Sequence, residues 1–142
     1  MVLCATLGGV ASSSFSREGR KFWVSKVIPV DYRQQILAKF LHSMAIAGLG
    51  IVSATAVLVF RFHMDVEKWL PSLALALPVT AFLTCVNLAI DLARPLLDWI
   101  SPQKAMKQNL NVLIAMLLDL GFLFLYGLAF VSLGKSGLSR SE

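Results

Sequence analysis

Asp119 is the residue of this sequence whose placement most suggests chemistry. It lies ten residues into an apolar block, Leu110 to Leu133. An ionised carboxylate near mid-bilayer costs about 3 kcal/mol on insertion scales. A carboxylate kept at that depth either handles an ion or proton, or packs helices by bonding to a neighbour such as Asn87 or Thr84. His42 and His63 are isolated, with no Glu, Asp or Cys at ligand spacing. Cys4 and Cys85 sit inside apolar runs and read as small hydrophobes, not as a disulfide framework. No Ser/His/Asp set and no His/Cys cluster occurs, so neither a catalytic centre nor a metal site is expected. Ala129 to Ser136 fits a relaxed phosphate-loop pattern through Gly134-Lys135-Ser136. A working phosphate loop follows a strand and opens a helix. Here the upstream residues belong to an apolar helix, and only six residues follow Ser136.

The elements that must position these groups are apolar helices. Hydrophobic residues make up 57 % of the 142, and charged residues 15 %. A soluble domain carries about 25 % charged residues and needs them to cover its core. The deficit makes lipid the natural outer solvent. Four apolar blocks stand out: 1–15, 37–60, 70–93 and 110–133. The last three are long enough to cross roughly 30 Å of hydrocarbon at about 1.5 Å per residue. The first is short and reads as a partial span. It has no Lys or Arg ahead of it, which argues against a cleaved signal peptide, and basic residues follow it. The expected fold is therefore all-α and polytopic: one transmembrane domain over 1–142, with connecting loops at 16–36 and 94–109.

Charge sets the orientation. The connector from Ser16 to Lys39 and the loop from Arg94 to Asn109 together hold nine Lys and Arg, against four in the alternate loop and tail. The richer side is expected to be cytoplasmic, leaving both termini outside. The net charge of +5 is thus spent on topology, and no nucleic-acid footprint is expected.

Both cytoplasmic loops have internal order. Trp23 and Val27, and Val24 and Ile28, recur at helical spacing and form an apolar stripe, with Lys21 and Lys26 largely off it. Pro29 ends this short helix. Asp31 then caps the next, with Gln34 completing a capping box. Such a helix can lie in the lipid interface, anchored by Trp23, or can meet a partner subunit. In the second loop, Asp91 and Arg94 are three apart and could pair at the membrane edge. Pro95 ends the third span. Trp99 reads as an interfacial anchor, with Asp98, Lys104 and Lys107 beside it. Within the second span, Ala45, Ala47, Gly48, Gly50, Ser53, Ala54 and Ala56 predict close helix contact. Pro78 predicts a kink in the third.

Two stretches resemble a known family. The first runs from Ser16-Arg17-Glu18-Gly19-Arg20-Lys21-Phe22-Trp23, through Lys26-Val27-Ile28-Pro29-Val30, to Ala38-Lys39. The second is Asp91-Leu92-Ala93-Arg94-Pro95-Leu96-Leu97-Asp98-Trp99, followed by Ala105-Met106-Lys107-Gln108-Asn109-Leu110-Asn111. Together they are similar to the C-terminal part of the membrane-spanning subunit of bacterial ABC-2-type exporters, in the putative ABC exporter permease group.

The resemblance implies a permease in the bacterial plasma membrane that binds no ATP itself. Its short cytoplasmic helix, here Glu18 to Ile28, would dock on a separate ATP-binding subunit through Glu18, Gly19, Arg20, Phe22, Trp23, Lys26, Val27 and Pro29. Such subunits are usually much longer, so a fragment working as a homo- or hetero-oligomer with other permease helices is expected. The rivals are a small structural or assembly protein of the membrane, and an ion-coupled carrier using Asp119.

Overall fold

A computed structural model describes residues 10–63, 66–100, 103 and 109–138. All regular structure among them is helical. Ala11–Ser13 and Ser16–Lys21 are 3-10 turns, followed by a short helix α1 (Phe22–Val27). Three long helices come next: α2 (Tyr32–Phe62), α3 (Val66–Ala93) and α4 (Leu110–Leu138). Within them, Tyr32–Arg61, Leu73–Ala93 and Leu110–Leu128 are long and apolar enough to cross a membrane. The chain is a membrane-embedded helical protein. Helix α3 is central and packs on both α2 and α4.

Helix ends follow local chemistry rather than the edges of the apolar blocks. α2 begins five residues ahead of its block because the Asp31 carboxylate caps it, accepting the Arg33 N–H at 3.4 Å. The reach back across the cap comes from Gln35, not the expected Gln34: its amide donates to the Ser25 and Val30 carbonyls at 2.9 and 3.0 Å. α1 stops at Val27, and Ile28 ahead of Pro29 is extended. α3 runs through both Pro71 and Pro78. α4 remains helical through Gly134-Lys135-Ser136, so that triplet is not presented as a loop.

The bundle buries a row of polar groups among apolar residues such as Ile51, Leu83 and Leu88, and is apolar outside. The buried face of α3 carries Thr80, Thr84, Asn87 and Asp91, and that of α4 carries Asn111, Ala115 and Asp119. Leu77, Phe82, Leu117, Phe124 and Leu128 are exposed. A water-soluble bundle requires the reverse; in lipid, small and polar groups are what hold helices together. The small-residue stripe of α2 narrows accordingly. Ser43, Ala47 and Ile51, four apart, face the bundle, whereas Gly48 has open space where a side chain would go.

Of the expected first span, residues 1–9 lie outside the described residues. Ala11 to Ser16 are buried at the end of the bundle where α3 finishes and α4 begins, and the Ala11–Ser13 turn packs on α3, α4 and α2.

Candidate functional site

At that end, one carboxylate gathers the chain. Asp91, in the last turn of α3, is completely buried. Its Oδ2 accepts the backbone N–H groups of Phe15 at 2.6 Å and Ser16 at 3.0 Å. Its Oδ1 accepts the Ser16 hydroxyl and, at 3.1 Å, the Asn111 amide from α4. The same Asn111 amide reaches the Arg94 carbonyl at 2.6 Å. A carboxylate satisfied by several donors in a low-dielectric site is strongly held. Asp91 therefore does not act through an Arg94 ion pair. Helical spacing suggested that pair, but donors arriving from residues 15, 16 and 111 occupy both oxygens.

Ser16 extends the junction into the second loop. Its Oγ accepts the Leu96 N–H at 2.9 Å, and its carbonyl accepts the Trp99 indole N–H at 2.8 Å. Trp99 is thus a clamp on the first connector as well as a large aromatic at the bundle end. Gly19 makes the clamp possible. Its φ is +54°, a region closed to most side chains, and a Cβ there would stand 2.6 Å from the Trp99 ring. Asn109 accepts the Asn111 N–H at 3.0 Å, capping α4. Pro95 is half-buried, whereas Arg94 and Asp98 are exposed. Lys104 and Lys107 lie outside the described residues.

The first connector is consequently not one continuous helix over 18–28. It turns at Gly19, and α1 is a separate piece. Glu18 forms an ion pair with Lys39 on α2 and accepts the Ser25 hydroxyl at 2.8 Å. Lys39 also reaches the Ser14 carbonyl and lies 4.7 Å over the Phe15 ring. Phe22 turns inward, edge-on to Phe15. Facing outward are Trp23, 63 % exposed, and Val27, 69 % exposed, with Val24, Lys26, Ile28 and Pro29 also uncovered. Arg20 is exposed beside them.

The two sequence stretches singled out for their resemblance therefore meet at one junction. Sequence reading did not find the part played by Ser12 to Ser16. The available signal was a run of small residues directly before the charged connector, the composition that allows close backbone approach.

Deeper in the bundle, Asn87 on α3 donates its amide to Asp119 on α4 at 3.0 Å. Asp119 is 1 % exposed. Of the two roles open to it, the packing bond to Asn87 is present. Among the described residues no group of three His, Cys, Asp or Glu side chains is placed to hold a metal ion. The chain matches no family model, no curated protein and no solved structure.

Proposed function

We propose that this chain is a membrane-spanning component of an ATP-driven exporter of a bacterial plasma membrane, coupled to a separate ATP-binding subunit through Glu18 to Ile28. One observation carries the reading. The uncovered Trp23/Val27 face sits on a short helix that Ser25 bonds to Glu18 and to Gln35 of α2, directly after a connector segment that is linked to the long helices. Glu18–Lys39 reaches α2, Ser16–Asp91 reaches α3, and Asp91–Asn111 reaches α4. A push on α1 is thereby delivered to every span rather than absorbed in a loop, as coupling between rigid packed elements requires. The exposed residues number an aromatic and three β-branched side chains beside Arg20, Lys21 and Lys26, a surface suited to a protein groove with acidic rims.

The test is co-purification from detergent-solubilised native membranes. An ATP-binding protein should accompany the chain and be lost on Trp23→Ala, while the variant's thermal stability stays unchanged. If no ATPase accompanies the chain, or if Trp23→Ala retains it fully, the coupling role is wrong and a structural or assembly role takes its place. Transport that continues without ATP and stops on Asp119→Asn would instead identify an ion-coupled carrier.

A further inference from the structure

An apolar trough runs between α2 and α3 on the outside of the bundle, with a volume of about 490 Å³. Ile36, Leu37 and Phe40 on one helix and Leu88 and Leu92 on the other line it, and Arg33 stands at its end. A second hollow of about 220 Å³, lined in part by Lys26 and Tyr32, shares Ile36 and Leu92 with the first. The two meet at those residues, so an apolar channel opens onto a rim carrying Arg33, Lys26 and the Tyr32 phenol, with the Glu18–Lys39 pair beside them. The local carboxylates are already engaged. Asp31 caps α2, and Glu18 is paired with Lys39. Among the described residues neither Arg33 nor Lys26 makes an ion pair. Lys26 instead lies 5.5 Å over the Phe22 ring.

We propose that this trough is a specific site for an anionic phospholipid, with one acyl chain between α2 and α3 and the headgroup phosphate at Arg33 and Lys26. The apolar part alone would accept any lipid, because it offers the tail nothing that bulk lipid lacks. The unpaired cations at the headgroup level supply the selectivity, as basic pockets between membrane helices do. The guanidinium of Arg33 suits a phosphate's paired oxygens, and Tyr32 adds a hydroxyl donor. The site depends on the membrane embedding of α2 and α3; it shares Lys26 with the proposed docking surface, whereas Arg33 lies outside that surface, so Arg33→Gln reads lipid binding alone.

The test is native mass spectrometry of the purified chain released from mixed micelles containing equal phosphatidylglycerol and phosphatidylcholine. One phosphatidylglycerol should be retained per chain in preference to phosphatidylcholine. Arg33→Gln and Lys26→Gln should each reduce that preference about fivefold, the value of one surface charge. Arg61→Gln, at the far end of α2, should leave it unchanged. Ala89→Trp, which fills the trough, should abolish retention of either lipid. Equal retention of the two lipids, equal loss with Arg61→Gln, or exclusion of lipid by a second protein chain would each overturn the site. Far-ultraviolet circular dichroism and gel filtration of every variant separate these results from misfolding.

Discussion

Asp91 and Asp119 are both sealed from solvent, yet they are held differently and do different work. Asp91 collects backbone and side-chain donors from two separate stretches of chain, residues 15–16 and Asn111, at one end of the bundle. Asp119 sits on α4 deeper within the bundle and receives an amide from the adjacent helix. By sequence position Asp119 is the conspicuous one, because a carboxylate in an apolar run demands a reason. The residue on which the architecture turns is Asp91, at the less conspicuous position near a helix end. The depth of an acidic residue tells that it needs partners; it does not tell how many segments those partners will bring together. A carboxylate at a helix end can recruit connectors whose backbone groups have no ladder of their own, whereas one in mid-span has only neighbouring side chains to recruit.

This contrast can be broken most severely at Asp91. Asp91→Ala strands two backbone N–H groups and the Ser16 hydroxyl, and leaves the Asn111 amide only its bond to the Arg94 carbonyl. At about 1–3 kcal/mol for each buried group left unmade, the variant should lose at least about 3 kcal/mol, or fail to fold. Unfolding by sodium dodecyl sulfate titration in mixed micelles reads this directly, and proteolysis within 10–30 should accelerate. Asp91→Asn, which keeps the size but loses the charge, should fall between.

Gly19→Ala comes next. The positive φ costs about 1–2 kcal/mol for an alanine, and the new Cβ meets the Trp99 ring. Because the clash involves that one ring, Gly19→Ala combined with Trp99→Leu should cost less than the two single changes added. A double-mutant cycle with additive energies would show that the contact is not made.

Smaller effects should come from the partners of the deep carboxylate. Asp119→Asn should cost about 0.6 kcal/mol, the average for hydrogen bonds between membrane helices. A loss comparable to that of Asp91→Ala would reverse the ranking of the two sites. Glu18→Gln should cost least, about 0.5 kcal/mol, because its pair with Lys39 is partly open to solvent, with side chains 24 % and 19 % exposed. Its effect should also shrink with added salt.

The three long helices were legible because an unbroken apolar run of more than twenty residues has few other solutions. The Asp31 cap and the stop at Pro29 were legible because each depends on one residue's own backbone preference. The Asn87–Asp119 bond was foreseeable because a buried acid in an apolar helix must find a polar group at similar depth. The junction was not. Asp91 had a plausible partner three residues away in Arg94, and nothing local reveals that Phe15, Ser16 and Asn111 reach it first. Gly19 reads as a loop residue until Trp99, eighty positions later, is seen to lie against it. The second span offered seven small residues for packing. Only the face through Ser43, Ala47 and Ile51 is used, because burial follows the neighbour's position and not composition alone.

The most direct test of the central claim is which side of the membrane each end occupies. The first connector and residues 94–100 must share one end, and His63 must lie at the other. Single cysteines are introduced as Trp23→Cys, Ile100→Cys and His63→Cys in a chain carrying Cys4→Ser and Cys85→Ser. A membrane-impermeant maleimide should label position 63 in intact cells, and positions 23 and 100 only after permeabilisation. Labelling of 23 and 100 from opposite faces would contradict the junction and, with it, the route proposed for coupling α1 to the spans.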